Sequence, residues 1–514
     1  MTNLLKKIDA LSRKQLFWCL PIAAALLAGW MQYIQHGWIN PDSVLYFEAA
    51  KLFALGEWKQ AVNVFAWPLY SILIAATHKL TGLSIQPSAQ VLHALFFALT
   101  TFSFLKIIQL AGGSSRVMLA GALILFSSQY LVGDILEMLM RDQGFWAFFL
   151  SSLVFFIKFY KTKQYQDAIF WQICIIIATL FRIESISYLM LLPAILLFAQ
   201  QEAWKLRLHN FLKCHFLNIS LGVFILSALL LHNDLSMSSF GRLSEVFTPH
   251  FYQEFTFQLS NKSVIMSQQV LGKYLEDFAT QGLLLTFLYV MIVKAISSTG
   301  IANVGLAMFT IKSKRQLMDD QAFRVLGAAA IIAIINMALI ITKTFVLSGR
   351  YVLALSFILM IFASFYLADL FKYLESKSNS DRKLKWLTIA LVGFMLLSLV
   401  KNTLPKAEGY NYMQDAVAWV KANNKENKPV FYDDSRVRFY AGESFVGAGT
   451  DSWSNVTSAI ENQSIQQYDF LLINLSAKHP EREKLITQKL AQYNEVKRFS
   501  SHKAKKILVI YSKQ

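Results

Sequence analysis

Long apolar runs broken by short basic loops fill most of this chain, and a polar tail with short alternating patches follows. Apolar segments near 17–35, 91–109, 116–132, 144–160, 168–181, 186–200, 214–231, 282–298, 325–342, 351–371 and 387–401 read as helices. Crossing a ~30 Å hydrocarbon core takes about 20 residues, so these are expected to span a membrane. The basic clusters Lys106/Arg116, Lys158/Lys161/Lys163, Lys205/Arg207/Lys213, Lys312/Lys314/Arg315 and Lys372/Lys377/Arg382/Lys383/Lys385 fall on alternate loops. The positive-inside rule puts them, with the N-terminus, in the cytoplasm. Eleven spans satisfy every cluster at once.

Two stretches test that count. Trp67 to Leu80 is apolar enough to span, but a crossing there would reverse every later loop, so it is expected at the outer interface. Ala168 to Gln200 would run about 50 Å as one helix, well beyond the hydrocarbon thickness. Both of its flanks are basic, so it is expected to cross twice, with Arg182, Ile183, Glu184 and Ser185 at the hairpin apex. Ionisable residues at such depth usually line an enclosed or wet cavity; the plainer reading is an Arg182–Glu184 salt bridge that fixes the hairpin.

From about Pro405 no further span occurs. Tyr412 to Ala422 reads as an amphipathic helix, Pro429 to Tyr432 and Phe470 to Leu475 as buried strands, Glu481 to Tyr493 as a helix and Lys506 to Tyr511 as a last strand. The expected fold class is an α-helical polytopic membrane protein of about 11 to 13 spans with a small C-terminal α/β domain. A transmembrane domain would occupy 1–404, with outer loops 36–66, 133–143 and 232–280, and an outer domain 405–514.

Composition narrows the function classes. A hydrophobic fraction of 55%, 41 Phe, 11 Trp and only 16% charged residues exclude an ordinary soluble chain. The first apolar run follows Lys6, Lys7, Arg13 and Lys14 but is long, aromatic and without a small-residue cleavage site, so it is expected to be retained as a span. The net charge of +17 is explained by the loop clusters, and no nucleic acid partner is expected. Cys19, Cys174 and Cys214 suggest neither a disulfide framework nor a thiolate metal site. No phosphate loop of the Gly-x-x-x-x-Gly-Lys-Ser/Thr type and no His-x-x-x-His pair is present.

The chemistry-bearing residues gather on the outer side of this topology. Asp42 lies about one helical turn past the first span, in the run Asn40 to Phe47. A carboxylate at the membrane surface suits a general base that takes a proton from an acceptor hydroxyl. A departing lipid phosphate gains charge that Arg or Lys in a low-dielectric pocket stabilises, and Lys343, Arg350 and Tyr351 border an apolar helix on that side. Interfacial anchoring is the plain alternative for those cations. A second carboxylate is offered by Asp134, Glu137 and Asp142, of which Asp142 immediately precedes a span. The acidic set has oxygen ligands suited to a divalent metal, but no spacing signature supports one, and no cofactor is firmly expected.

Asp42 with Tyr46, Ala49, Ala50, Leu52 and Gly56, followed by Trp67, Pro68 and Leu69, resembles the first outer loop of GT-C glycosyltransferases related to protein O-mannosyltransferases and lipid A aminoarabinose transferases. Leu180 to Glu184 is similar to their Arg-Pro-Glu element, with Ile183 in place of proline, and Ser348 to Leu353 to their late Arg-Tyr element. Two departures stand out: Ser43, not a second acidic residue, follows Asp42, and Ala66-Trp67 precede a single Pro68 where the aminoarabinose enzymes have a lysine before paired prolines. The resemblance implies an inverting inner-membrane enzyme that moves a sugar from a polyprenyl phosphate to a periplasmic glycolipid, polysaccharide or protein such as a pilin. In it Asp42 would be the base, aided by Tyr46, and Asp142 a supporting carboxylate. Lys343, Arg350, Tyr351 and Arg182 would hold the donor phosphate, with Glu184 orienting Arg182. The alternatives are an O-antigen polymerase or ligase, for which the 232–280 loop offers Arg242 and His250, and a lipid-linked sugar flippase or transporter. The early Asp42 element argues against the first, and the absence of paired halves against the second.

Overall fold

The computed structural model describes residues 12–198, 202–231, 250–313, 317–375, 378–405, 409, 411–445 and 452–514. Arg242 and the basic residues Lys314, Arg315 and Lys377 lie outside them. Among the described residues seven helices are long and apolar enough to cross a membrane: Arg13–Ile34, Ile85–Leu110, Asp142–Thr162, Glu276–Thr299, Asp320–Thr344, Gly349–Leu374 and Arg382–Thr403. A further candidate is bent by 43° between Ser115–Ser127 and Gln129–Ile135. Tyr165–Phe181, Ile183–Phe198 and Ile301–Lys312 are shorter apolar helices, and Phe216–Leu231 is another. Every apolar run named from the sequence is helical over most of its described length.

Three features went unforeseen. Gly300, at φ +89°, ends one helix and starts Ile301–Lys312, which was too short to register as a span. The Thr299 hydroxyl, ending the first helix, donates to the Ser356 hydroxyl (2.9 Å) and the Thr310 hydroxyl to the Phe362 carbonyl (2.7 Å), so Ile301–Lys312 packs beside Leu353–Leu370. Much of the expected loop 232–280 is a helix, His250–Gln269. The bend at Ser127–Ser128 frees backbone carbonyls that would be costly in lipid. Those of Ser127 and Ser128 accept from Ser398 (2.8 Å) and Asn402 (3.3 Å) of the last long helix, so the break is satisfied from outside its own helix.

The chain forms two compact units, and the second combines Trp30–Gln90, Met138–Met140 and Leu404–Gln514. The stretch 36–66 thus shares a unit with the tail. Long-range contacts hold this unit together. The Ile39 amide donates to the Tyr440 hydroxyl at 2.9 Å, the rings of Phe47 and Phe439 lie 5.7 Å apart, and the Ser43 hydroxyl donates to the Leu139 carbonyl at 3.0 Å. Asn40 caps helix Pro41–Leu55 by accepting from the Asp42 amide, Pro41 sits in its first turn, and Gly56 closes it at φ +86°.

In the tail, β1 (Val430–Tyr432), β2 (Phe470–Ser476), β3 (Tyr493–Ser500) and β4 (Lys506–Lys513) form a sheet in the order β1-β2-β4-β3. β1 runs parallel to β2, and β4 antiparallel to both β2 and β3. Leu471, Ile473 and Leu475 pack on one face with Val456 and Ile486, and Leu472 on the other with Val417 and Val437. This follows the period of 2 along a strand. The helix expected from Glu481 ends at Lys489, and Tyr493 opens β3. That strand escaped notice because it is an exposed edge carrying Glu495, Lys497 and Arg498, charges that discourage further pairing.

Asp433 follows β1, is 2% exposed and accepts from the Asn474 amide (2.6 Å) and side chain (2.8 Å). Burial pushes its carboxyl up to about 8, against which the Asn474 bonds work. Unfolded, a carboxyl of this type titrates near about 3.9. The folded state therefore keeps a proton that the unfolded state has lost between roughly pH 4 and 8, and stability falls as pH rises through that window. Hydrogen-exchange protection of the β2 amides should decline across it in the intact protein. Asp433→Asn should flatten the decline; an unchanged pH profile in that variant would assign the effect elsewhere.

Candidate functional site

In the first unit, one glycine sets the geometry. A Cβ at Gly144 would lie 2.3 Å from the Phe181 ring, so only a hydrogen there lets helix Tyr165–Phe181 close on helix Asp142–Thr162. Phe181 then stacks on Phe148 with ring centres 5.9 Å apart. Arg182 leaves the helix in extended conformation (φ −145°, ψ 122°), which turns its side chain toward Asp142. Beyond it the chain doubles back, so that Tyr188 meets Phe149 at 4.7 Å. The hairpin expected at Arg182 is there.

The Arg182 guanidinium pairs through Nη1 with Asp142 Oδ1 and grips Glu184 with Nη2 (3.0 Å to Oε1) and Nε (3.3 Å to Oε2). The Tyr351 ring lies 4.4 Å from the guanidinium carbon and the Phe145 ring 5.9 Å from it. Asp142 stands in the first turn of its helix, where the macrodipole favours a carboxylate. Its Oδ2 is 4.0 Å from Arg350 Nη1. The Glu184 carbonyl accepts from the Asn336 side chain at 3.1 Å, which ties helix Asp320–Thr344 to the hairpin. Asp142, Arg182, Glu184, Arg350 and Tyr351, read separately from the sequence, therefore form one cluster at the edge of a cleft.

Their exposures divide the roles. Asp142 and Arg182 are 2% and 5% exposed, whereas the Arg350 side chain is 26% exposed. Arg182 directs three nitrogens at two carboxylates, so it braces the cluster, and Arg350 is the guanidinium better presented to a ligand. Lys343 sits exposed in the last turn of helix Asp320–Thr344 and does not line this cleft. Of the other candidate carboxylates, Asp134 is exposed and Glu137 buried.

Asp42 and Tyr46 belong to the second unit. Asp42 is partly exposed in the first turn of helix Pro41–Leu55, again at the positive end of a helix dipole. Tyr46 is buried, edge-on to Phe65 (4.9 Å) and Tyr70 (5.2 Å), which makes it a packing residue of the loop that carries Asp42. Among the described residues no group of three or more His, Cys, Asp or Glu side chains is arranged to hold a metal ion.

Two solved structures share this architecture. The oligosaccharyltransferase AglB of Archaeoglobus fulgidus, solved with an inhibitory peptide and a dolichol-phosphate, superposes with a TM-score of 0.55 at 12% identity, over 96% of this chain and 74% of that one. ArnT of Cupriavidus metallidurans in the apo state gives 0.54 at 13% identity, over 97% and 98%. The chain has the GT-C fold. No family model and no curated protein matches the sequence. At these identities the likeness concerns the fold, and the site must be argued from this chain's own residues. Asn336, Phe145 and Gly144 escaped the sequence reading, because an amide, an aromatic and a glycine within apolar helices carry no signal without their neighbours.

A buried ion pair is far more costly to halve than to remove. Truncating one partner leaves the other charge uncompensated, at about 3–5 kcal/mol. Arg182→Met and Asp142→Asn should each lower thermal stability in nanodiscs, and the double variant should lose clearly less than the sum of the two. Additive losses would show that the two side chains are not coupled.

Proposed function

We propose that this protein is an inverting glycosyltransferase of a bacterial inner membrane, moving a sugar from a polyprenyl phosphate to a periplasmic acceptor. The GT-C fold supports a glycosyltransferase in general. The observation that carries the donor assignment is the partly exposed Arg350, 4.0 Å from buried Asp142 and lining one cleft with Tyr351 and buried Arg182. A planar guanidinium matches a phosphate with two parallel hydrogen bonds, and partial burial strengthens the attraction.

In this reading the acceptor hydroxyl oxygen attacks the anomeric carbon, and its proton passes to the Asp42 carboxylate. The bond from the anomeric carbon to the phosphate oxygen breaks with its electron pair, releasing polyprenyl phosphate. Arg350 meets the charge that accumulates on the leaving phosphate, and Lys343, exposed and outside the cleft, adds positive potential to this side of the site. Asp142 is the supporting carboxylate that holds the arginines; it is not the base. The acceptor is a glycolipid, a surface polysaccharide or a secreted protein such as a pilin, with the C-terminal domain on the periplasmic side.

Two measurements test the assignment in reconstituted enzyme. Asp42→Asn keeps the side-chain shape but accepts no proton, and its transfer rate should drop about 100-fold or more with expression and insertion intact. A rate within a few fold of wild type removes Asp42 from the mechanism. Arg350→Lys keeps the charge and loses the fork, so its dependence on donor concentration should worsen, and Arg350→Ala should worsen it further. A simple interfacial anchor would tolerate lysine, since a flexible ammonium reaches the surface equally well. An unchanged donor dependence in Arg350→Ala would reduce Arg350 to such an anchor.

A further inference from the structure

The bent span delivers a side chain that no sequence motif singled out. Past the break at Ser127–Ser128 the chain continues as a π-helical turn, Gln129–Ile135, and Tyr130 projects from its start. Such turns cost hydrogen-bond regularity and recur at functional sites. Here the cost is offset by Ser398 and Asn402, which take up the freed carbonyls, so the bend is fixed.

Tyr130 is laid on the loop that begins with Ser348 and carries Arg350. A Cβ at Gly349 would fall 2.4 Å from both the hydroxyl oxygen and Cζ of Tyr130, so the phenol rests directly on the glycine backbone. The hydroxyl shares a hydrogen bond with Ser348, and the ring lies within electrostatic reach of Arg350, Asp134 and Asp142. Gly349 is buried, and its neighbour Ser298 would be 2.8 Å from the same added Cβ, so the loop is clamped on two sides. Asp142 approaches Arg350 at 4.0 Å, too far for a hydrogen bond to fix the guanidinium by itself.

From this contact we infer that Tyr130 is a positioning residue for the donor site: it holds the Ser348–Gly349 backbone so that Arg350 presents its fork to the donor phosphate. The inference rests on the reading of Arg350 as the phosphate ligand. It gives the broken span a purpose in substrate recognition, since an unbent helix would carry residue 130 past the loop.

The test is a double-mutant cycle in nanodiscs, read as KM for the polyprenyl phosphate sugar and as kcat. Tyr130→Phe keeps the ring and loses the Ser348 bond, so KM should rise roughly three- to tenfold, the equivalent of one hydrogen bond, with kcat within about twofold. Gly349→Ala, which must push the phenol away, should raise KM at least as much as Tyr130→Phe does. In an Arg350→Ala background neither change should add to KM, because the residue they position is gone. A wild-type KM in Tyr130→Phe, or effects that multiply in the double variant, would overturn the role of Tyr130 while leaving Arg350 in place. If Arg350→Ala alone leaves KM unchanged, the phosphate reading fails first and this inference with it. Thermal unfolding of each variant separates a misfolded clamp from a misplaced arginine.

Discussion

The buried pair between Arg182 and Asp142 is the constraint on which the first unit's site depends. Two charges at 5% and 2% exposure are tolerable only because each also meets further partners: Glu184 and the faces of Tyr351 and Phe145 for the arginine, a helix N-terminus and Arg350 for the aspartate. Satisfying them forces the end of Tyr165–Phe181 and the starts of Asp142–Thr162 and Leu353–Leu370 to one place. The pair is more valuable for that registration than for net stability, since such pairs often contribute little beyond an apolar substitute.

Function follows from the asymmetry of exposure within the cluster. The deeply buried charges neutralise one another, and Arg350 is the more exposed guanidinium of the cluster. For the proposed donor site this is a division between bracing and binding: a guanidinium assigned to a phosphate benefits from a surround already ordered before the ligand arrives. The clamp of Tyr130 on Gly349 belongs to the same economy of motion, reached from the opposite side through a bent helix.

The second unit solves a different problem. The helix bearing Asp42 follows a long span, yet its Phe47 meets Phe439, and Ile39 just before it meets Tyr440, about 400 residues later. Capping by Asn40, Pro41 and Gly56 fixes where this helix starts and stops, and the contacts with the tail and with Leu139 fix the helix itself. The base proposed at Asp42 needs such fixing, because a general base works only at a set distance from the hydroxyl.

The sequence by itself determined the helices, since runs of apolar residues near span length have few alternatives in a membrane, and all eleven runs are helical over most of their described length. It determined the two-sided strand Phe470–Ser476 and the hairpin apex at Arg182, encoded by local periodicity and by charge at an improbable depth. The tertiary structure decided what local patterns do not contain. It decided that Asp142 faces Arg182, because a hydrogen at Gly144 admits the Phe181 ring. It decided that the 36–66 loop packs with the tail, that Tyr130 reaches Gly349 through a bend capped by another helix, and that an exposed, charged segment is an edge strand. Each of these is a relation between residues distant in the chain, set by shape and hydrogen-bond satisfaction that appear only once the helices have packed.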